Sequence, residues 1–202
     1  MEPVIVGISG GSASGKTTLA RQLVEHYEDK SLILSLDCYY KGQYGSDVDI
    51  SKLNFDSPES LDMELFQSHL KAIHRGEAIL IPQYDFATHA RMNKKIMFHP
   101  TPIVIIEGIF LFNVLGIADF NLKVFVDVPD DIRLIRRLIR DGLERSRSVD
   151  SVITQYLSSV RPMHYKYVLP DKSMADLVID GELIDEKRQL STLIESIDRL
   201  IK

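Results

Sequence analysis

The chain has 202 residues, 45% of them hydrophobic and 26% charged, which is enough apolar material for a core and too much for a disordered segment. Its 24 Lys and Arg stand against 29 Asp and Glu, and the resulting net charge of −5 excludes a protein whose main task is coating nucleic acid. The single cysteine, Cys38, excludes an internal disulfide and a multi-cysteine zinc site. The N-terminal apolar run ends at Gly7, too early for a signal peptide, and no apolar stretch approaches the roughly 20 residues that cross a bilayer. At roughly 150 residues per domain, one domain over 1–202 is expected, soluble and cytoplasmic, with no membrane partner.

In chain order, Val4–Ile8 is a short run rich in β-branched residues, the pattern of a strand buried on both faces. A Gly/Ser-rich turn (Ser9 to Gly15) leads into a helix predicted over Thr17–Tyr27, with Leu19, Leu23 and Val24 at helical spacing. A second strand is predicted at Leu32–Leu36, and a helix at Leu61–Ile73 with Leu61, Leu65, Phe66, Leu70 and Ile73 on one face. Ile103–Ile106 and Val124–Val128 read as buried strands, the latter closed by Pro129. A helix then spans Asp130 to Asp141 and is expected to stop at Gly142. Further helices are predicted over Val149–Val160 and Leu190–Ile201, with a last short strand at Leu177–Ile179. Uniformly apolar strands alternating with helices predict an α/β fold, a parallel sheet covered on both sides. The rhythm lapses over 39–54 and 83–99, which are expected to be functional loops or small hairpins over the sheet edge.

Gly10-Gly11-Ser12-Ala13-Ser14-Gly15-Lys16-Thr17 fits the pattern G-x-x-x-x-G-K-[ST] and lies between a buried strand and a helix, where that pattern works. Small residues let backbone N–H groups and the helix N-terminus face phosphate oxygens. Lys16 would reach the outer phosphates, and the Thr17 hydroxyl would ligate Mg²⁺. The expected ligand is a nucleoside triphosphate.

Three classes share such a loop: switch GTPases, ATPases coupled to motion, and small-molecule kinases. The nearest approach to a guanine-reading motif, Asn93-Lys94-Lys95-Ile96, lacks the acidic residue and follows no apolar strand. A motion-coupled ATPase usually needs more chain for partner surfaces. A kinase needs a carboxylate to orient an acceptor hydroxyl, and Asp37, directly after the second strand, is placed for it at a strand C-terminus. Glu107, at the end of the Ile103–Ile106 strand, is the candidate carboxylate for the Mg²⁺ shell. Arg133, Arg136, Arg137 and Arg140 form a stripe opposite Ile135, Leu138 and Ile139, a pattern that by itself fits a solvated helix face. Its continuation past Gly142 to Arg145 and Arg147 suggests a lid able to fold over phosphates and exclude water. Arg133 and Arg136 are not assigned a role.

With these pieces in place, the sequence resembles the uridine kinase family, in particular the bacterial uridine–cytidine kinases. The resemblance runs from about Val4 to Ile179 and is carried by Gly10 through Thr18, Leu36-Asp37-Cys38-Tyr39-Tyr40-Lys41, Asn54-Phe55-Asp56-Ser57-Pro58 and Tyr84-Asp85-Phe86-Ala87-Thr88-His89. Glu107-Gly108-Ile109, the run from Arg136-Arg137 to Glu144-Arg145-Ser146-Arg147, Gln155-Tyr156-Leu157 and Val160-Arg161-Pro162-Met163-His164 complete it. The resemblance implies a P-loop NTPase-like parallel sheet flanked by helices. It adds acceptor-binding hairpin or loop insertions at about 37–58 and 83–99, and an Arg-rich lid at about 140–150. It implies that Asp37 positions the nucleoside 5′-hydroxyl, that Asp56 and Arg137 hold the ribose with Gln155 nearby, and that Tyr84, Phe86 and His89 line the pyrimidine pocket. Arg140, Arg145 and Arg147 match the lid.

The implied reaction is transfer of the γ-phosphate of ATP or GTP to uridine, and to cytidine as well, with Mg²⁺, in pyrimidine salvage. Relatives are homotetramers inhibited by pyrimidine triphosphates. A phosphoribulokinase-like or pantothenate-kinase-like enzyme, or a non-catalytic nucleotide-binding regulator, is the alternative. Three places depart from typical members: Ser146 stands where glycine is common, Asp180-Gly181-Glu182 replaces a Gly- and Asn-rich string, and Gly42 to Lys52 is unlike them.

Overall fold

The computed structural model describes residues 2–42, 53–86, 88–115, 120–183 and 187–201. Most of the divergent segment 42–52, all but its first residue, and the end of the segment 180–186 therefore lie outside the described residues. The strands are β1 (Val4–Gly10), β2 (Ser31–Ser35), β3 (Ile79–Asp85), β4 (Ala90–Phe98), β5 (Ile103–Gly108), β6 (Leu122–Asp127) and β7 (Leu177–Asp180). Five of them form a parallel sheet of order β2-β5-β1-β6-β7, while β3 and β4 pair antiparallel as a separate hairpin. Every residue of β5 is buried, as its unbroken apolar run requires. The register sets Ile8 beside Glu107, Ser35 beside Glu107 and Gly10 beside Val126. The C-terminal ends of β1, β2 and β5 thus bring the phosphate-loop entry and two polar side chains into one row.

Helices cover both faces. Alternate β1 residues point to opposite sides. Val6 and Ile8 pack with Leu19 and Leu23 of α1 (Lys16–Tyr27) and with Leu193 and Ile197 of α8 (Lys187–Ile201). Ile5 packs with Phe66 and Ile73 of α2 (Met63–His74) and with Phe112 of α3 (Leu111–Leu115). Asp62 caps α2 by accepting the Leu65 N–H at 3.2 Å. Helix α3 has no counterpart in the sequence reading. It is five residues long, and its first N–H groups are satisfied remotely, Phe112 at 3.1 Å and Asn113 at 2.7 Å, by the buried carboxylate of Asp171.

One expectation is met in one of its two forms, and two need correction. The stretch 83–99 is a long hairpin beginning at Ile79. It reads poorly as strand because most of β4 is exposed, Met92, Ile96 and Met97 together with its polar residues, so no alternation marks it, and the ladder slips between Pro82, which has no N–H to donate, and Gln83. Helix α4 (Asp130–Glu144) does not stop at Gly142 but runs two residues further. The Asp141 carbonyl still accepts the N–H groups of Arg145 at 3.3 Å and Arg147 at 3.0 Å, so the final turn closes despite the glycine. Beyond it, α5 (Val149–Gln155) continues through π turns at Tyr156–Val160 and His164–Val168, with α6 (Arg161–Met163) between them and α7 (Pro170–Met174) at the end. The chain stays helical past Pro162 and Pro170, and the widened turns flank Pro162, the second of them ending just before Pro170.

Candidate active site

The phosphate loop is shaped by close backbone approach. A Cβ on Gly10 would lie 2.6 Å from the Val126 carbonyl oxygen, and Gly15 takes a φ of +98°, so only glycine fits the turn at either place. Helix α1 begins at the next residue, directing its first N–H groups at the loop. Gly10, Gly11 and Ser14 are buried beneath the surface, while Ser12, Ala13, Gly15, Lys16, Thr17 and Thr18 line a cleft of about 980 Å³. Lys16 donates to the Gly11 carbonyl at 3.0 Å. Burial pulls its pKa down, an effect that the neighbouring Glu107 and Asp37 carboxylates oppose.

One serine links the two residues that carry those carboxylates. Asp37 lies on a turn of 3₁₀ helix (Leu36–Tyr39) just past β2, and its N–H donates to Ser35 Oγ at 3.3 Å. Ser35 Oγ in turn donates to Glu107 Oε1 at 2.7 Å. Burial, then the Glu107 charge, pushes the Asp37 carboxyl up to about 6, against the pull of Lys16, Arg145 and Arg140. Two carboxylates beside an exposed Thr17 hydroxyl form an all-oxygen set, the donor chemistry Mg²⁺ takes when phosphates complete its shell. Among the described residues no cluster of three or more His, Cys, Asp or Glu could hold a metal without such a ligand.

Across the same cleft lies an aromatic wall. His89 stacks on Phe55, ring centroids 4.9 Å apart and planes at 23°. Tyr84 stands 5.1 Å from Tyr40 and 5.2 Å from Phe86. Flat faces of this kind accept a planar heterocycle, and the imidazole can hydrogen-bond its polar edge. Below the wall, Asp56 Oδ2 accepts from Ser159 Oγ at 2.9 Å, and Arg137 donates to Gln155 at 2.9 Å and to Ser12 of the phosphate loop at 2.9 Å. Tyr40, Phe55 and Ser159 were not singled out from the sequence as site residues. Tyr40 and Phe55 are large aromatics in otherwise polar segments, which was a usable signal; Ser159 carries none, because its partner is 103 residues away.

Helix α4 inverts the expected polarity. Arg133 and Arg137 are buried, whereas Ile135, Ile139 and Leu143 are 53%, 59% and 81% exposed. The stripe is therefore not a solvated face. Arg133 donates to the Val128 carbonyl at 3.1 Å and Arg136 to that of Gly181 at 2.9 Å, while Arg140, Arg145 and Arg147 line the cleft. The Arg145 guanidinium lies 4.7 Å over the Phe86 ring, joining the arginine segment to the aromatic wall.

Every side chain that the sequence pointed to for phosphate, hydroxyl, ribose or base thus surrounds one cleft, apart from Gly10, Gly11 and Ser14 beneath the loop. Residues 5–183 match the model of the phosphoribulokinase/uridine kinase family. The chain is 42% identical to a uridine kinase of Lactobacillus johnsonii, over 99% of this chain and 98% of that protein. It is also 42% identical to a uridine kinase of Borrelia garinii subsp. bavariensis, over 96% of each. Among solved structures, phosphoribulokinase from Rhodobacter spheroides superposes with a TM-score of 0.60 at 14% identity, over 89% of this chain and 72% of that one. D-Glycerate 3-kinase from Cryptococcus neoformans does so with a TM-score of 0.59 at 18% identity, over 84% and 80%. These structures share the fold, and the sequence matches carry the conclusion that the chain belongs to the phosphoribulokinase/uridine kinase family.

Proposed function

We propose that this protein transfers the γ-phosphate of ATP or GTP to the 5′-hydroxyl of uridine, and of cytidine, giving the nucleoside monophosphate. The observation that carries the reading is the sharing of one cleft by the phosphate loop, Asp37 and the aromatic wall of Tyr84, Phe86 and His89. In this reading Lys16 and the residues from Gly10 to Thr18 hold the triphosphate, with Arg140, Arg145 and Arg147 closing over it. Asp37 orients the acceptor hydroxyl and takes its proton late in a loose phosphoryl-transfer transition state. Asp56, Arg137 and Gln155 hold the ribose. Thr17 and Glu107 would hold Mg²⁺, which when bound neutralises charge on the phosphates. The chain works as one domain over 1–202, with the lid at about 140–150 and the acceptor segments at about 37–58 and 83–99.

We further propose a cytoplasmic enzyme of pyrimidine salvage that assembles as a homotetramer. The apolar stripe left uncovered on α4 supports assembly, since contiguous exposed Ile and Leu mark contact surfaces. No helix among the described residues is long and apolar enough to cross a membrane. A coupled assay offering uridine, cytidine, ribulose 5-phosphate and pantothenate with each purine triphosphate tests the reaction. Nucleoside turnover that disappears in Asp37→Ala is expected, and turnover of a non-nucleoside alone would sink the reading.

A further inference from the structure

Asp141 is a buried charge to which the proposed reaction gives no part. Its side chain is 0% exposed, on the last full turn of α4. Oδ1 accepts from Arg140 Nε at 2.9 Å, and the Arg140 Nη2 stands 2.8 Å from it as an ion pair. Arg137 Nε stands 3.4 Å from Oδ2, Arg145 Nη1 3.7 Å from Oδ1, and Arg147 Nη1 3.8 Å from Oδ2. The backbone carbonyl of the same residue holds the N–H groups of Arg145 and Arg147. One residue therefore fixes the path of the link after α4 and the position of the Arg140 guanidinium, and its charge faces those of Arg145 and Arg147, the latter held as well by Gln155 and by Ser151 Oγ at 2.8 Å.

One carboxylate cannot saturate four guanidinium groups. Its Oδ2 receives no hydrogen bond among the described residues, nor does Arg137 Nε find an acceptor there. The charge of Asp141 is enough to gather the arginines against their mutual repulsion, yet most of their positive charge and many of their donors stay available to a ligand. Without the carboxylate, a set of crowded, partly buried cations would turn toward water. Fixing donors before the ligand arrives removes the reorganisation that would otherwise accompany the reaction.

We propose that Asp141 is a positioning residue that gathers Arg140, Arg145 and Arg147 into their phosphate-facing arrangement before the donor binds. It touches no reacting atom and acts through the arginines, chiefly Arg140, the one within hydrogen-bond distance. The inference rests on the reading of these arginines as the phosphate lid. Arg137 is additionally held by Ser12 and Gln155, so the ribose side depends on Asp141 much less.

The test is steady-state kinetics of the full chain with ATP and uridine for the wild type, Asp141→Asn, Arg140→Gln and the double variant. Loss of positioning in Asp141→Asn should cut kcat on the order of 10²-fold. The KM for ATP should rise while that for uridine stays near wild type. Because Asp141 works mainly through Arg140, the double variant should be no slower than Arg140→Gln. A residue that merely holds the fold would lower kcat through a smaller active fraction, leave both KM values alone and multiply with Arg140→Gln; that pattern overturns the inference. Should Asp141→Asn not fold alone, the better charge-balanced double variant still decides by comparison with Arg140→Gln. An Arg140→Gln enzyme as fast as wild type overturns the lid reading itself, a different outcome from multiplicative losses.

Discussion

Replacing Asp37 by asparagine should leave the protein more stable and nearly inactive. The folded protein holds this carboxyl at about 6, above its ordinary 3.8, because burial and the adjacent Glu107 both disfavour the charge. That displacement corresponds to about 3 kcal/mol by which ionising Asp37 disfavours the folded state at neutral pH. The cleft admits water, so we expect about 1–3 kcal/mol to be recovered in Asp37→Asn, which mimics the neutral form. For a chain of this size that is a rise in Tm of roughly 2–10 °C. The sign follows from linkage. Between 3.8 and about 6 the folded state binds more protons than the unfolded state, so stability falls as pH rises through that window. The advantage of the variant should therefore be small at pH 4 and full at pH 7.5, as read by thermal melts at both. Turnover should fall about 10²–10⁴-fold, the range for a positioned base. A variant less stable than wild type at pH 7.5, or stabilised equally at pH 4, would refute the charge argument; retained turnover would refute the role.

Other outcomes follow from the same geometry. Glu107→Gln removes the second cause of the raised Asp37 pKa, so the acid limb of the kcat/KM profile, expected near pH 6 in the wild type, should move to lower pH, and the Mg²⁺ concentration for half-maximal rate should rise. Ser159→Ala takes one hydrogen bond from the Asp56 carboxylate, and a loss of about 1 kcal/mol should raise the uridine KM about fivefold with the ATP KM unchanged in a two-substrate titration. His89→Ala removes the ring stacked on Phe55 and should weaken nucleoside use far more than binding of a non-hydrolysable triphosphate, measured by calorimetry; equal losses would contradict the base-pocket assignment. Lys16→Met should cut turnover by about 10²–10³-fold while leaving a cooperative melt, because the buried ammonium already sits in a site that disfavours its charge.

What could be read from the sequence was what is local. The phosphate loop is contiguous, its small residues answer to φ values and contacts within a few positions, and the apolar runs flanking it could only be buried strand and helix. Asp37 and Glu107 were found because each ends such a run. Helix α4 is legible in its period, but its periodicity alone does not give its facing. Periodicity separates two sides of a helix but does not say which one points inward, and the inward side here is the charged one, since Arg133 and Arg137 find carbonyls, Gln155 and Asp141 inside. The hairpin was obscured for a related reason: with β4 outside the main sheet and mostly exposed, no alternation is imposed on it. Pairs such as Ser159 with Asp56, or Asp171 with the start of α3, exist only once the chain has folded.

Charge of the two signs is gathered on two sides of the cleft. The carboxylates of Asp37 and Glu107 gather on one side and the arginines of α4 and its link on the other, and opposite charges across a cleft attract each other. Each group is tied to the scaffold instead. Ser35 donates to the Glu107 carboxylate and accepts the backbone N–H of Asp37, holding the one side chain and the other residue's turn where β2 and β5 finish. Asp141, Gln155 and Ser12 compete for the guanidinium groups from behind, drawing them back toward α4, α5 and the phosphate loop. In the proposed reaction a triphosphate with Mg²⁺ would carry both signs, so it would complete each side without either crossing to the other. The raised pKa of Asp37 fits that arrangement: burial and then the Glu107 charge push it up, and Lys16, Arg145 and Arg140, each held by other groups, offset them only in part.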